Sequence, residues 1–321
     1  MIIVSKKGFN INKEMKYQIL LIGSDGFLGS HVKKQLNDSG ISFIEITGKS
    51  HVDITNFEQF NSFISNHSVQ TVINCAAFVG GISFGFKYQA DLLQINTLMA
   101  SNIYDIARMH DIKYIINPIS NCAYPGKSIV YMEKDFWDGP PHESVFNYAL
   151  SKRVFVAMGK SYYEQYNIST ASVVLSNMYG PGDHFEEERS HALGALVKKI
   201  YTAKLNNISE VEIWGSGKPV REWLYVEDGA KSLIKAINLS PGNYLFNVGV
   251  NKGASIIEIA EMIANEFSWE GKFILDVSRP DGVMKKTVDG NLGKEILNWS
   301  PEVKLNEGIA DTVKWYKADN E

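Results

Sequence analysis

The chain has 321 residues, 45% of them apolar, and 32 Lys and Arg against 36 Asp and Glu leave a formal charge of −4. That length supports two domains, or one large α/β body with an appended lobe, and the apolar share supplies a core without disulfide or metal staples. An acidic balance without long same-sign blocks argues against a nucleic-acid binder, and no apolar run is long enough to span a bilayer.

Residues 1–16 read as a polar leader whose apolar run, Ile2–Val4, is too short for a signal peptide. Only two cysteines occur, Cys75 and Cys122, outside any CxxC or Cys/His spacing, so the expectation is a reducing cytoplasm and no metal site. Gln18–Ile22 is a continuous apolar run of strand length, which suits a strand buried on both faces. It enters Gly23-Ser-Asp-Gly26-Phe-Leu-Gly29, after which Leu28, Val32 and Leu36 recur at helical spacing. Strands follow at Ser42–Thr47, Thr71–Asn74, Lys113–Ile119 and Ser169–Leu175, separated by helices at Phe57–Asn66, Asp91–His110 and Asn147–Tyr166. Strands alternating with helices predict a doubly wound parallel sheet covered on both faces, an α/β fold.

Beyond Tyr179 the rhythm becomes irregular. An acidic stretch at 186–189 precedes a helix over Ala192–Lys204 and short strands around Trp214 and Trp223. Ser255 and Glu258 form a capping box for a helix whose Ile256, Ile259, Ile263 and Phe267 share one face. The expected organisation is a dinucleotide-binding Rossmann domain over 1–180 and a smaller substrate-binding α/β lobe over 181–321, with the segment near 222–250 returning to the first.

Gly23, Gly26 and Gly29 let the backbone turn tightly beneath a pyrophosphate. Phe27 and Leu28 then sit at the positive N-terminus of the helix, beside that charge. At the end of the second strand, where a carboxylate would grip the ribose 2′-hydroxyl of NAD, the chain reads Ile46-Thr47-Gly48-Lys49. Lys49 can pair a 2′-phosphate, so NADP is favoured over NAD; a solvated surface lysine is the plain alternative. Asp53, with Ile54, lies where a carboxylate can accept from an adenine amino group, or equally serve as the N-cap of the next helix.

Tyr148 and Lys152 stand at i and i+4 on one helix face. In a chain with 15 tyrosines such spacing decides nothing by itself. This pair follows the fourth strand of a dinucleotide-binding pattern, where the ammonium lowers the phenol pKa and Tyr148 exchanges a proton with a carbinol oxygen. The alternative is a surface pair.

With Ser120 after the fourth strand, these motifs resemble the extended short-chain dehydrogenase/reductase family over nearly the whole chain. More narrowly, the chain is similar to that family's bifunctional GDP-4-keto-6-deoxymannose 3,5-epimerase/4-reductases. The segments that carry this are 76–82, 120–125, Asn177-Met-Tyr-Gly-Pro181, Ser190-His191, 214–228 and 279–286. The resemblance implies that Ser120, Tyr148 and Lys152 reduce a 4-keto group with NADPH, and that Cys122 and His191 form the epimerisation pair. It further implies cofactor contacts at Ala76, Ala77, Leu175, Asn177 and Met178, sugar contacts at Asn121, Asn177 and His191, and contacts to GDP at Lys199, Trp214, Arg221 and Lys286. A homodimer packed through helices 91–110 and 147–166 is implied as well.

The chemistry fits that division. A 4-keto sugar has acidic protons at C3 and C5; a thiolate removes one and a histidine returns a proton to the other face. Read without the resemblance, Cys122 is a small buried hydrophobe, His191 a helix-start residue, Trp214 a lobe-core indole and the lysines a solvated surface. Lys198, Lys199, Arg221, Lys285 and Lys286 are expected to converge on the dianionic substrate, with Glu186–Glu188 elsewhere.

Two residues depart from the family pattern. Asn121 replaces a second serine, and Asp25 replaces a basic residue of the glycine turn. They motivate the alternative of a C4 reductase on a related GDP-4-keto sugar, such as a heptose for capsule or lipopolysaccharide. A 4,6-dehydratase is disfavoured because Asn121 and Cys122 stand where an Asp-Glu pair is needed, and a non-catalytic NADP sensor because the catalytic trio is intact.

Overall fold

A computed structural model describes residues 18–186, 189–279, 281 and 283–321. The polar leader and Glu187–Glu188 lie outside the described residues. In chain order the elements that matter are β1 (Gln18–Ile22), α1 (Phe27–Asp38), β2 (Phe43–Ile46), α2 (Phe57–Ser65), β3 (Val69–Asn74), α3 (Ile82–Lys87), α4 (Gln89–Met109) and β4 (Tyr114–Ser120). There follow β5 (Val130–Tyr131), α5 (Phe146–Tyr166), β6 (Ser169–Leu175), β7 (Asn177–Tyr179), α6 (Ala192–Leu205), β8 (Glu210–Trp214), β9 (Val220–Tyr225), α7 (Val226–Ala236) and β10 (Asn243–Val248). The chain ends with β11 (Gly253–Ser255), α8 (Ile256–Phe267), β12 (Lys272–Asp276), β13 (Lys285–Val288), α9 (Asn291–Leu297) and α10 (Leu305–Asn320).

Six strands form one parallel sheet in the order β2-β1-β3-β4-β6-β10. Side chains alternate across it with period two. Leu20, Ile22, Val72 and Ile115 join Phe60, Ile103 and Phe155 of α2, α4 and α5 in one core. Ile19, Leu21, Ile73 and Ile116 join Val32, Leu36 and Leu233 of α1 and α7 in the other. This is the doubly wound arrangement that the alternation of elements predicts. The chain leaves β1 for β2 on one side and then crosses to β3 on the other, which opens a crevice at the carboxyl ends of β1 and β3.

The later strands build a second sheet around β9, which runs parallel to β13 and β7 and antiparallel to β11, with β5 beside β13. A third core, with Val197, Ile200, Trp223, Ile259, Ile263 and Ile309, lies under α6, α8 and α10. The capping box stands as read: Ser255 Oγ accepts from Glu258 N and Glu258 accepts from Ser255 N. One further element lies in the apolar stretch after β3. Residues Ile82–Lys87 form a short helix, because Phe84 packs against Phe78 and Tyr88. Cys75 stands half-buried just beyond the end of β3, at the rim of the core.

Candidate active site

The glycine turn closes the crevice floor. Gly23 has φ 77°, and a Cβ there would lie 2.8 Å from the amide nitrogen of Ala76, so only glycine fits this approach of the β1 and β3 ends. Its amide donates to Ile46 O at 2.7 Å, and Gly26 N donates to Gly23 O at 3.1 Å. A Cβ on Gly29 would overlap the carbonyl of Gly23, so α1 packs directly on the turn. Gly26 caps α1 without a side-chain bond, and no acidic residue stands in the first helical turn. That helix end carries uncompensated positive charge at a backbone cradle, which fits a pyrophosphate. Leu28 is buried in the core and Phe27 packs edge-on against His31, so each has only its backbone to offer an anion.

At the adenosine end, Lys49 Nζ lies 3.3 Å from Asp53 Oδ2, with the lysine side chain 80% exposed. Asp53 also accepts from the amide and hydroxyl of Thr55. Burial opposes its charge, but the bonds from Thr55 and Lys49 outweigh burial and hold its pKa below the usual value. The helix-cap alternative for Asp53 falls away, since Asn56 caps α2 by accepting from Gln59 N at 3.1 Å. Ile54 turns its side chain into the core while its carbonyl accepts from Asn102.

Ser120 ends β4, and its Oγ accepts from Cys122 N at 3.2 Å across a 3₁₀ turn. Asn121 in that turn is buried. Lys152 is 4% exposed, donates to Pro118 O at 3.4 Å, and lies over the Tyr148 ring at 5.7 Å from its centroid. Burial draws its pKa down to about 8, with the Cys75 thiol opposing. The expected lowering of the Tyr148 pKa does not occur. Burial pushes the phenol up, and negative charge on Cys122 adds to this. The reason is geometric, because the ammonium faces the ring and its hydrogen bond goes to a backbone carbonyl. Tyr148 therefore holds its phenol proton.

Cys122 is half-buried, and its charge bears on Tyr148, Tyr131 and Lys286. Burial lowers the Lys286 pKa, Cys122 raises it and Arg221 lowers it. Lys286 is the registered partner of Arg221 across β13 and β9, and its ammonium lies 5.9 Å from the Tyr131 ring centroid. His191 is the N-cap of α6, yet its exposed ring makes no capping bond. Desolvation by the surrounding walls and the charge of His184 lower its pKa.

Asn177 donates to Glu222 O at 2.9 Å. Leu175 is buried, and Met178 packs its sulfur against Gly229 of α7, so these two side chains serve packing. Trp214 is 56% exposed, which overturns the reading of a core indole. Lys199 and Arg279 lie 5.3 and 4.9 Å from its ring centroids, and its Nε1 donates to Glu212. The expected convergence of five cations narrows. Successive residues of a strand face opposite sides, so Lys285 is exposed while Lys286 turns inward beside Arg221. Glu186 is not remote, because it lies 4.0 Å from His184, the residue that bears on His191.

Residues 19–249 match the model of the NAD dependent epimerase/dehydratase family. The chain is 32% identical over 304 residues to a putative GDP-L-fucose synthase 2 of Arabidopsis thaliana, covering 94% of this chain and 92% of that one. It is 30% identical over 311 residues to the GDP-L-fucose synthase of Escherichia coli K12, covering 94% and 97%. The chain belongs to the NAD dependent epimerase/dehydratase family, in the group of the GDP-L-fucose synthases. A solved GDP-L-fucose synthetase from Naegleria fowleri bound to NADP superposes with a TM-score of 0.87 at 26% identity, covering 98% of each chain.

Several residues of this family member escaped the sequence reading. Arg279 lies within a segment that carries the resemblance, but nothing in its local pattern points it at Trp214. Arg153, Tyr131 and Asn247 bear on the Cys122 turn only through tertiary contacts.

Proposed function

We propose that the protein inverts C3 and C5 of GDP-4-keto-6-deoxymannose and reduces the 4-keto group with NADPH, giving GDP-L-fucose or a close relative. The observation that carries this is Lys152 lying over the Tyr148 ring, with Ser120 and Cys122 bonded across the turn after β4 and the charge of Cys122 bearing on Tyr148. In this reading the N-terminus of α1 takes the cofactor pyrophosphate and Lys49 its 2′-phosphate, with Lys152 beneath the nicotinamide ribose. NADPH, when bound, supplies a hydride to C4.

Ser120 Oγ already accepts from a backbone amide, so its proton is free to donate to the C4 oxygen. Tyr148 gives the second hydrogen bond and then its proton as the carbonyl becomes an alcohol. For inversion, the Cys122 thiolate removes the proton from C3 or C5, the electron pair enters the enolate stabilised at the C4 oxygen, and protonated His191 returns a proton to the opposite face. Arg221 is suited to a bidentate grip on the diphosphate and Lys286 to a point contact, with Trp214, flanked by Lys199 and Arg279, stacking on the nucleoside.

The division of labour between residues 1–180 with the returning segment near 222–250, and the remainder, belongs to the same reading. So do a cytoplasmic location and a homodimer through α4 and α5, whose Leu98, Met109 and Tyr166 are exposed. Among the described residues no helix is long and apolar enough to cross a membrane. Asn121, buried where the family pattern has serine, favours a second reading, a C4 reductase on a GDP-4-keto heptose destined for capsule or lipopolysaccharide.

Side-by-side turnover of GDP-4-keto-6-deoxymannose and a GDP-4-keto heptose, followed by NADPH absorbance, tests the choice. The first reading expects a kcat/KM about tenfold or more higher for the hexose. The reverse ratio would establish the second.

A further inference from the structure

Arg153 follows Lys152 on α5 and is 8% exposed. Among the described residues no carboxylate pairs with it, and burial alone lowers its pKa. Its Nε donates to Ala123 O at 2.7 Å and its Nη2 to Phe136 O at 2.9 Å. The guanidinium packs by the rings of Phe136 and Trp137, 5.6 and 5.5 Å from their centroids.

A charge held out of water without a countercharge is costly, and an apolar side chain would fill the same space without that cost. What the guanidinium adds is a rigid planar fork with two fixed donors. Its two acceptors come from different segments. Ala123 closes the 3₁₀ turn that carries Asn121 and Cys122, and Phe136 follows the next 3₁₀ turn, Glu133–Asp135. The fork is rooted on the helix that carries Tyr148 and Lys152. From the other side the turn is held separately, since Tyr124 OH donates to the Asn247 carboxamide oxygen at 2.6 Å while the Asn247 amide donates to Tyr131 O and Asp289 O.

We infer that Arg153 is a positioning residue which fixes the Cys122 turn against the Tyr148–Lys152 helix and so sets the spacing of the proton-abstracting and proton-donating groups. This rests on the function proposed above. A Met at this position keeps the volume but leaves both carbonyls unpaired, whereas a Lys keeps the charge and reaches only one of them.

The test uses the full chain as Arg153→Met and Arg153→Lys. Turnover is read with NADPH and GDP-4-keto-6-deoxymannose. Without any sugar, the rate of Cys122 alkylation by iodoacetamide is read by peptide mass spectrometry, with half-buried Cys75 as the internal control. For Arg153→Met the expectation is a kcat lower by about tenfold or more, a KM and an NADPH Kd within about threefold of wild type, and Cys122 alkylation changed by about fivefold or more. Arg153→Lys should fall between the two.

Wild-type kcat and alkylation in Arg153→Met would overturn the inference, as would loss of NADPH binding in step with kcat. Should Arg153→Met fail to fold, Arg153→Lys decides: an intermediate kcat at unchanged KM supports the role, and wild-type values in both assays overturn it. Because alkylation needs no substrate, a wild-type protein inert toward the sugar would sink the functional reading while leaving the Arg153 inference open to its own result.

Discussion

The Lys152 ammonium lies against the face of the Tyr148 ring, 5.7 Å from its centroid, and spends its hydrogen bond on the Pro118 carbonyl. The lysine therefore acts on the phenol as a buried cation beneath it. Burial disfavours the charged form and sets its pKa at about 8, so the cation is present below that value and lost as pH rises through it. The pH profile of kcat should be flat near neutrality and fall through about pH 8. In Lys152→Arg this inflection should vanish, and a wild-type profile flat to about pH 9.5 would contradict the assignment.

Tyr148→Phe removes only the proton donor. Reduction should slow by about 100-fold or more, while exchange of the C3 and C5 protons with solvent continues, because Cys122 and His191 are untouched. Cys122→Ser should do the opposite, with exchange lost and the cofactor still bound. Proton NMR of the recovered nucleotide sugar in heavy water separates the two phenotypes.

Lys49 and Asp53 are paired in the place where the cofactor's 2′ end is expected. Asp53→Asn releases the lysine, so the Kd for NADPH should fall by about threefold to tenfold while that for NADH stays within about twofold. Quenching of intrinsic fluorescence by each cofactor measures both, and an equal shift in the two constants would place Lys49 outside the 2′-phosphate contact.

Much of this was legible in the residues. The alternation of apolar strands and helical stripes gave the parallel sheet because each strand must bury both faces, and the glycine turn marked the cradle because no side chain fits at Gly23 or Gly29. Tyr148 and Lys152 were found by helical spacing together with their place after β4. What escaped depends on partners distant in sequence. The Tyr148 pKa moved against expectation because desolvation depends on the packed surroundings, and nothing in the local pattern around Arg153 points it at the Ala123 and Phe136 carbonyls. Local spacing likewise could not show that Lys285 faces solvent while Lys286 faces Arg221, because that depends on the register of β13 against β9.

Asp183 offers a stability test apart from catalysis. Burial raises its carboxyl pKa from 3.8 to about 7, so the folded chain holds a proton there that the unfolded chain releases between those values. Stability is therefore lost as pH rises through that window. Asp183→Asn keeps an acceptor for the His184 amide, now at 2.7 Å, and removes the charge. Urea unfolding should show the variant more stable by about 2 to 4 kcal/mol near pH 8 and equal to wild type near pH 4. Equal stability at both values would mean that the carboxylate is solvated.

The central claim is that one cleft both inverts and reduces a GDP-4-keto sugar. Its most direct test is turnover of GDP-4-keto-6-deoxymannose with NADPH in heavy water, with the configuration and deuterium content of the product read at C3, C4 and C5. The account predicts stoichiometric NADPH consumption and GDP-L-fucose carrying solvent deuterium at C3 and C5. NADPH consumption with an unlabelled, uninverted product would contradict it and leave a simple C4 reductase.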